Sequence, residues 1–95
     1  MDRASADWMK REDERILEYL DDEGLSTARL ISREAFKNIR PGHVTERLEK
    51  LRDAELVAKS GFSSYELTEE GQRYLAGDLD AAHQPTPNVR RVLRR

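Results

Sequence analysis

The sequence predicts an α+β fold in which three helices are followed by a two-stranded hairpin and a fourth helix. Three observations predict it. Apolar residues recur at helical spacing in three segments between Asp7 and Ala54. Two short apolar runs, Leu56 to Ala58 and Tyr65 to Leu67, flank Gly61 and a serine-rich turn. Thr68 then opens a further helical segment that Gly77 closes.

Composition sets the frame for these elements. A chain of 95 residues has room for one small core. With 37% hydrophobic and 38% charged residues, that core is modest and the surface heavily charged, so a partner would add stability. No cysteine occurs, which excludes disulfides, thiol catalysis and cysteine-ligated zinc. Apolar runs of two or three residues are too short for a membrane span or a secretory signal, so the expectation is a soluble cytoplasmic protein. The net charge of −2 conceals segregation: residues 1–25 carry nine acids and four bases, whereas residues 29–50 carry six bases and three acids. Binding to a polyanion depends on the local field at the contact face, although an acidic remainder lowers affinity.

Taken in order, the first helix has Asp7 as a candidate N-cap and Gly24 at its end. Trp8, Met9, Ile16, Leu17 and Leu20 follow its period, with Tyr19 beside them. Asp21, Asp22 and Glu23 sit at the C-terminal end, where the helix dipole disfavours negative charge, so stability did not place them there. Ser26 or Thr27 caps the second helix, which turns Leu30, Ile31, Ala35 and Phe36 inward. Asn38 suits a turn and Ile39 packs over the junction. Pro41 fits only a first helical turn, so the third helix runs from Pro41 to about Ala54, with Val44, Leu48 and Leu51 as its buried stripe.

Two short helices joined by a small turn form a helix-turn-helix. On the far side of the third helix, His43, Arg47 and Lys50 are spaced as one ridge, with Glu46 alongside. A DNA major groove accepts one helix, and the N-terminal half of that helix reaches base edges. His43, Thr45 and Arg47 are therefore the candidate base contacts, Arg47 by bidentate bonding to guanine. Arg40, Gly42 and Lys50 are candidate phosphate contacts, with the amides around residues 42–44 facing an anion. The alternative is that Arg47 and Lys50 merely pair with Glu46, Glu49 or Asp53 on a wet surface.

The hairpin that follows is a wing that must lean on the helices. Lys59, Ser60 and Ser63 are its candidate phosphate contacts, and Phe62 either packs at its base or stands at its tip. Otherwise the wing only completes the fold. In the fourth helix, Glu69 to Ala76, Thr68 caps and Glu69 and Glu70 occupy the favourable first turn. Gly71 lowers its propensity by about 1 kcal/mol relative to alanine, which points to a close helix contact there. Together these elements predict a winged helix-turn-helix, a three-helix core with a two-stranded wing and a C-terminal helix.

The run Leu48-Glu49-Lys50-Leu51-Arg52-Asp53-Ala54-Glu55-Leu56-Val57, followed by Tyr65 to Leu75 (YELTEEGQRYL), resembles archaeal and bacterial winged-helix transcription regulators. It is most similar to the small haloarchaeal, phage-repressor-like branch, over residues 10–76. The resemblance implies operator binding as a dimer, with recognition residues between His43 and Lys50. Glu55 stands where the family commonly has glycine, which implies a third helix without a left-handed glycine cap. The segment Ser32 to Arg40 is also longer than in compact members.

The expected organisation is a flexible N-terminus at residues 1–6, a winged domain at 7–77, and a linker with an arginine-rich tail at 78–95. Arg90, Arg91, Arg94 and Arg95 can follow DNA, or Val89, Val92 and Leu93 can form a short docking helix, or the tail can have no role. Trp8, Met9, Tyr19, Tyr74 and Leu75 exceed the obvious needs of a small core and are the candidate homodimer interface. Alternatively, Trp8 and Tyr74 simply close the seam between the first and fourth helices. Nothing points to catalysis, a metal or a cofactor: the two histidines lie forty residues apart and each glycine occurs singly. The expected function is sequence-specific binding of double-stranded DNA as a transcriptional repressor. Its rival is a winged module that binds protein, as an adaptor or antagonist of another regulator.

Overall fold

The computed structural model describes residues 2–87. Four helices and a small antiparallel sheet share one core: α1 (Arg11–Glu23), β1 (Ser26–Thr27), α2 (Ala28–Ala35), α3 (Pro41–Asp53), β2 (Val57–Ser60), β3 (Ser64–Leu67) and α4 (Glu69–Leu75), then a single 3₁₀ turn, Ala81–His83. Helices and hairpin thus occur in the expected order. Ile16, Leu17 and Leu20 from α1, Ile31 from α2, and Val44, Leu48 and Leu51 from α3 meet in a solvent-free cluster. Leu56, Val57, Tyr65 and Tyr74 close it from the sheet side.

Helix α1 begins three residues later than expected, its N-cap moving from Asp7 to Lys10. Asp7 is not its cap; Met9 N–H bonds Ala6 in a turn, and Lys10 is the N-cap, its N–H bonding the Asp13 carboxylate at 2.9 Å. Trp8 and Met9 therefore pack against the core from an irregular segment. Thr27, rather than Ser26, caps α2, accepting from Leu30 N–H at 3.1 Å. Ser32 Oγ donates to Ile39 O at 2.5 Å, tying the α2–α3 junction together.

The sheet has three strands, not two, in the order β1-β3-β2. Ser26 pairs with Tyr65 and Thr27 with Ser64, while Val57 to Ser60 pair antiparallel with Leu67 to Ser64. A two-residue strand has no periodicity for a sequence to display. By anchoring β3 to the loop between α1 and α2, it stiffens a hairpin that is marginal when isolated.

At the end of α3, Glu55 takes the left-handed conformation with φ 66°, the position the resemblance associates with glycine. Gly71 is approached closely, but by the sheet base rather than by another helix. A Cβ there would overlap Leu56 O and lie 2.5 Å from Leu67 Cδ1.

Both ends of the described chain dock onto the domain, contrary to the expected flexible N-terminus and linker. Arg3 bonds Leu75 O at 3.0 Å and reaches Glu14 and Glu18, and Ala4 forms a parallel bridge with Asp80. Ala81 is fully buried and Gln84 Nε2 donates to Ala54 O at 3.1 Å. These partners satisfy backbone groups that a loose tail would leave to water. The tail residues Arg90, Arg91, Arg94 and Arg95 lie outside the described residues.

Candidate nucleic-acid interface

A groove of about 450 Å³ opens between the N-termini of α2 and α3 on one side and the wing on the other. Thr27, Arg29, Pro41 and Thr45 line the helical wall; Lys59, Phe62, Ser63 and Tyr65 line the wing wall. Local chemistry explains how α3 comes to present this edge. Arg40 stays extended (φ −76°, ψ 153°) and its carbonyl accepts from His43 and Val44, so Pro41 sits at the first helical position, where it lacks only an N–H that has no use there.

Gly42 follows, and it is exposed. A Cβ on Gly42 would meet nothing within 4 Å. Neither a positive φ nor a close neighbour inside the domain requires glycine there, unlike Gly71. Its bare backbone leaves room for an approaching molecule at the leading end of α3.

The ridge read from the sequence does not exist as one exposed row. Arg47 is turned inward and is 1% exposed. Its Nε and Nη2 hold the two Asp13 carboxylate oxygens at 2.8 and 2.6 Å, and Nη2 also bonds Trp8 O at 3.1 Å. Asp13 itself is fully buried. The bidentate fork expected to grip guanine instead grips a carboxylate of the same chain, so Arg47 is corrected from base contact to helix clamp. Neither reading of Arg47 made from sequence, groove contact or wet surface pair, included Asp13.

His43 is half-buried beside it. Its Nε2 lies 2.8 Å from Glu12 Oε2 and its Nδ1 3.8 Å from Glu46 Oε2. The hydrogen bond from His43 holds Glu12 below the usual carboxylate range. A base contact by His43 therefore competes with Glu12.

The exposed face of α3 consists of Pro41, Gly42, Thr45, Glu46 and Arg52, with Glu49 and Lys50 half-buried at its edges. Arg52 donates to Glu49 at 3.3 Å, and Glu49 also accepts from Tyr65 at 2.6 Å, which fixes β3 against α3. Around the groove, Arg29, Arg40 and Lys59 are exposed, and the Lys59 ammonium lies 5.8 Å from the centre of the Tyr65 ring. Ser60 is half-buried and Ser63 exposed on the wing. Arg29 and Phe62 were missed as site residues. Their signal was present: Arg29 directly follows the capped start of α2, and Phe62 is an aromatic residue inside a turn.

The candidate dimer residues are largely occupied within the chain. Tyr74 is fully buried and donates to Glu14, and Tyr19 is buried and donates to Glu34 at 2.8 Å. Trp8, Met9 and Leu75 pack partly against the core. Tyr19 and Tyr74 are thus core and seam residues: the Tyr19 hydroxyl finds its carboxylate on α2, and the Tyr74 hydroxyl, reaching from α4, finds its own on α1. Among the described residues no group of acidic or histidine side chains is arranged to hold a metal. No described helix is long and apolar enough to cross a membrane.

A helix-turn-helix with a wing beside the leading end of its second helix defines the winged helix-turn-helix class. Within that class, the chain belongs to the winged helix-turn-helix phage repressor family, which matches residues 1–84. Its structure is similar to the crystal structure of the PhiH1 repressor-like protein from Haloarcula marismortui, with a TM-score of 0.84 and 34% identity, over 90% of this chain and 98% of that one. No curated protein matches the chain.

Proposed function

We propose that the protein is a sequence-specific double-stranded DNA-binding regulator, a repressor that lays the leading end of α3 in the major groove. The observation that carries this is the open, basic-edged groove at the leading end of α3, next to an exposed glycine at position 42 that the fold does not need. Thr45 and Glu46 take over base reading from Arg47: a threonine suits several base edges, and a glutamate accepts from the cytosine amino group. Arg29, Arg40, Lys50 and Lys59, with Gly42, Ser60 and Ser63, supply phosphate contacts that set register. The membership in a phage repressor family and the repressor-like structural neighbour support the direction of regulation.

The net charge of −2 makes this contact weak for one copy at physiological salt. A homodimer reading a two-fold site doubles it, with the half-exposed Met9 and Leu75 beside an open groove of about 920 Å³ as part of the contact surface. The tail arginines Arg90, Arg91, Arg94 and Arg95 add positive charge. Selection of genomic fragments by the purified chain tests the proposal. Enrichment of fragments sharing a short palindromic region is expected; no enrichment even at low salt would reject it in favour of a protein-binding module. Sedimentation of the chain on the selected duplex tests the dimer, which a one-to-one complex would exclude.

A further inference from the structure

Phe62 is 91% exposed at the tip of the wing, against 56% for Leu25, the other exposed large apolar residue among those described. Gly61 precedes it with φ 68°, a sharp turn that carries the following residue out beyond the ends of β2 and β3. The core makes no use of the ring, and the residues around it, Ser60, Ser63 and Ser64, are those expected at a solvated hairpin end. Phe62 nevertheless lines the same groove as Thr45 and Arg29, on the opposite wall, with Lys59 two strand positions before the turn.

With α3 laid in the major groove as proposed above, the groove lined by Arg29, Thr45, Lys59 and Phe62 has room for the backbone strand that borders it, and beyond such a strand lies the adjacent minor groove. The cations Arg29 and Lys59 suit the phosphates of that strand. An uncharged aromatic ring gains nothing from phosphate; it gains from sugar walls and base faces. We propose that Phe62 is a minor-groove wedge that partly unstacks one base step beside the helix-read sequence. The binding site is then selective at a position that α3 does not touch, favouring an easily opened pyrimidine–purine step. The inference rests on the DNA-binding reading above.

The test uses the full chain and a duplex selected by it from random-sequence DNA, carrying 2-aminopurine at successive positions flanking the α3 footprint. Unstacking by the wild-type chain raises the fluorescence at one flanking step. In Phe62→Ala the rise disappears and binding weakens about tenfold, ~1.4 kcal/mol, with an unchanged salt slope, because every phosphate keeps its cation. Lys59→Ala gives the opposite pattern: the fluorescence rise persists while the slope of log affinity against log salt falls by about 0.9. Since Phe62 is exposed, Phe62→Ala melts with the wild type, which separates wedge removal from misfolding. A wild-type chain that binds its duplex with the same affinity and fluorescence as Phe62→Ala overturns the wedge and leaves the ring to a protein partner. A wild-type chain that selects no duplex overturns the DNA reading itself.

Discussion

Replacing Arg47 with alanine separates a helix clamp from a base-reading residue. The wild-type side chain is 1% exposed and its partner Asp13 is fully buried, joined by hydrogen bonds of 2.8 and 2.6 Å. Removing the guanidinium leaves a buried carboxylate with the Lys10 N–H at 2.9 Å in place of the bidentate fork. Breaking one side of such a pair costs about 3–5 kcal/mol, because the remaining charge stays desolvated. A domain of this size holds roughly 5–14 kcal/mol in total, and each kcal/mol is worth about 4–8 °C. The expected outcome is a melting temperature lowered on the order of 12–40 °C, read by circular dichroism and confirmed by urea titration. Arg47→Lys keeps the charge without the fork and falls between. The double variant Asp13→Leu with Arg47→Met removes both charges and regains most of the stability. If Arg47→Ala melts with the wild type yet no longer prefers its operator, Arg47 faces DNA and does not clamp α1 to α3.

Three further substitutions and titrations follow from the same geometry. Gly71→Ala would drive a Cβ into the Leu56 carbonyl and against Leu67, backbone that cannot yield, so it destabilises by about 1–3 kcal/mol despite its better helix propensity; a stable alanine variant in urea would refute the close approach. Gly42→Ala meets nothing within 4 Å, so it leaves the melting temperature unchanged or raised by about 0.5–1 kcal/mol equivalent while weakening DNA binding. Unaltered affinity would mean that α3 does not meet DNA at that point. All three tyrosines are buried; desolvation first, and then hydrogen bonds to Glu34, Glu49 and Glu14, raise Tyr19, Tyr65 and Tyr74 above the ordinary phenol value. Since the folded values lie above the unfolded ones, this stabilisation is complete below about pH 10 and is lost as pH rises from there through the folded values. Phenolate absorbance should appear only with the loss of helical signal; a tyrosine ionising at its ordinary value while the helices persist contradicts the burial.

The course of the chain was legible through α2, α3 and α4, but not at the start of α1, where Asp7, Trp8 and Met9 offered a cap and a period that the structure does not use. Val44, Leu48 and Leu51 repeat at helical spacing and are all fully buried. Thr27 and Thr68 cap the helices they precede, at 3.1 and 3.0 Å. Charge at a helical position was less legible. Arg47 lies three residues after Val44 and four before Leu51, and so continues their stripe; its polarity hid that register. Asp13 stands in the same relation to Ile16, Leu17 and Leu20. Two charges that each break an apolar face, one on either helix, are the signal that they meet inside. Other features had no local signal to offer. The strand Ser26–Thr27 exists only through pairing with Ser64 and Tyr65, and the docking of Arg3 on α1 and α4 depends on residues up to 72 positions away. The candidate site suffered in proportion, since its helix was found but its ridge was rotated toward α1.

The central claim is that the exposed edge of α3, and not Arg47, reads DNA sequence. Its most direct test is the ratio of affinities for the selected duplex and for random DNA, measured across a salt series for the wild type and for a Thr45→Ala, Glu46→Gln variant of unchanged melting temperature. The wild type should prefer the selected duplex, and the variant should forfeit about 1–3 kcal/mol of that preference for each base no longer read, while its binding to random DNA does not weaken, since no cation is removed and one acid is neutralised. Equal weakening on both duplexes, or a wild type indifferent to sequence, would contradict the claim.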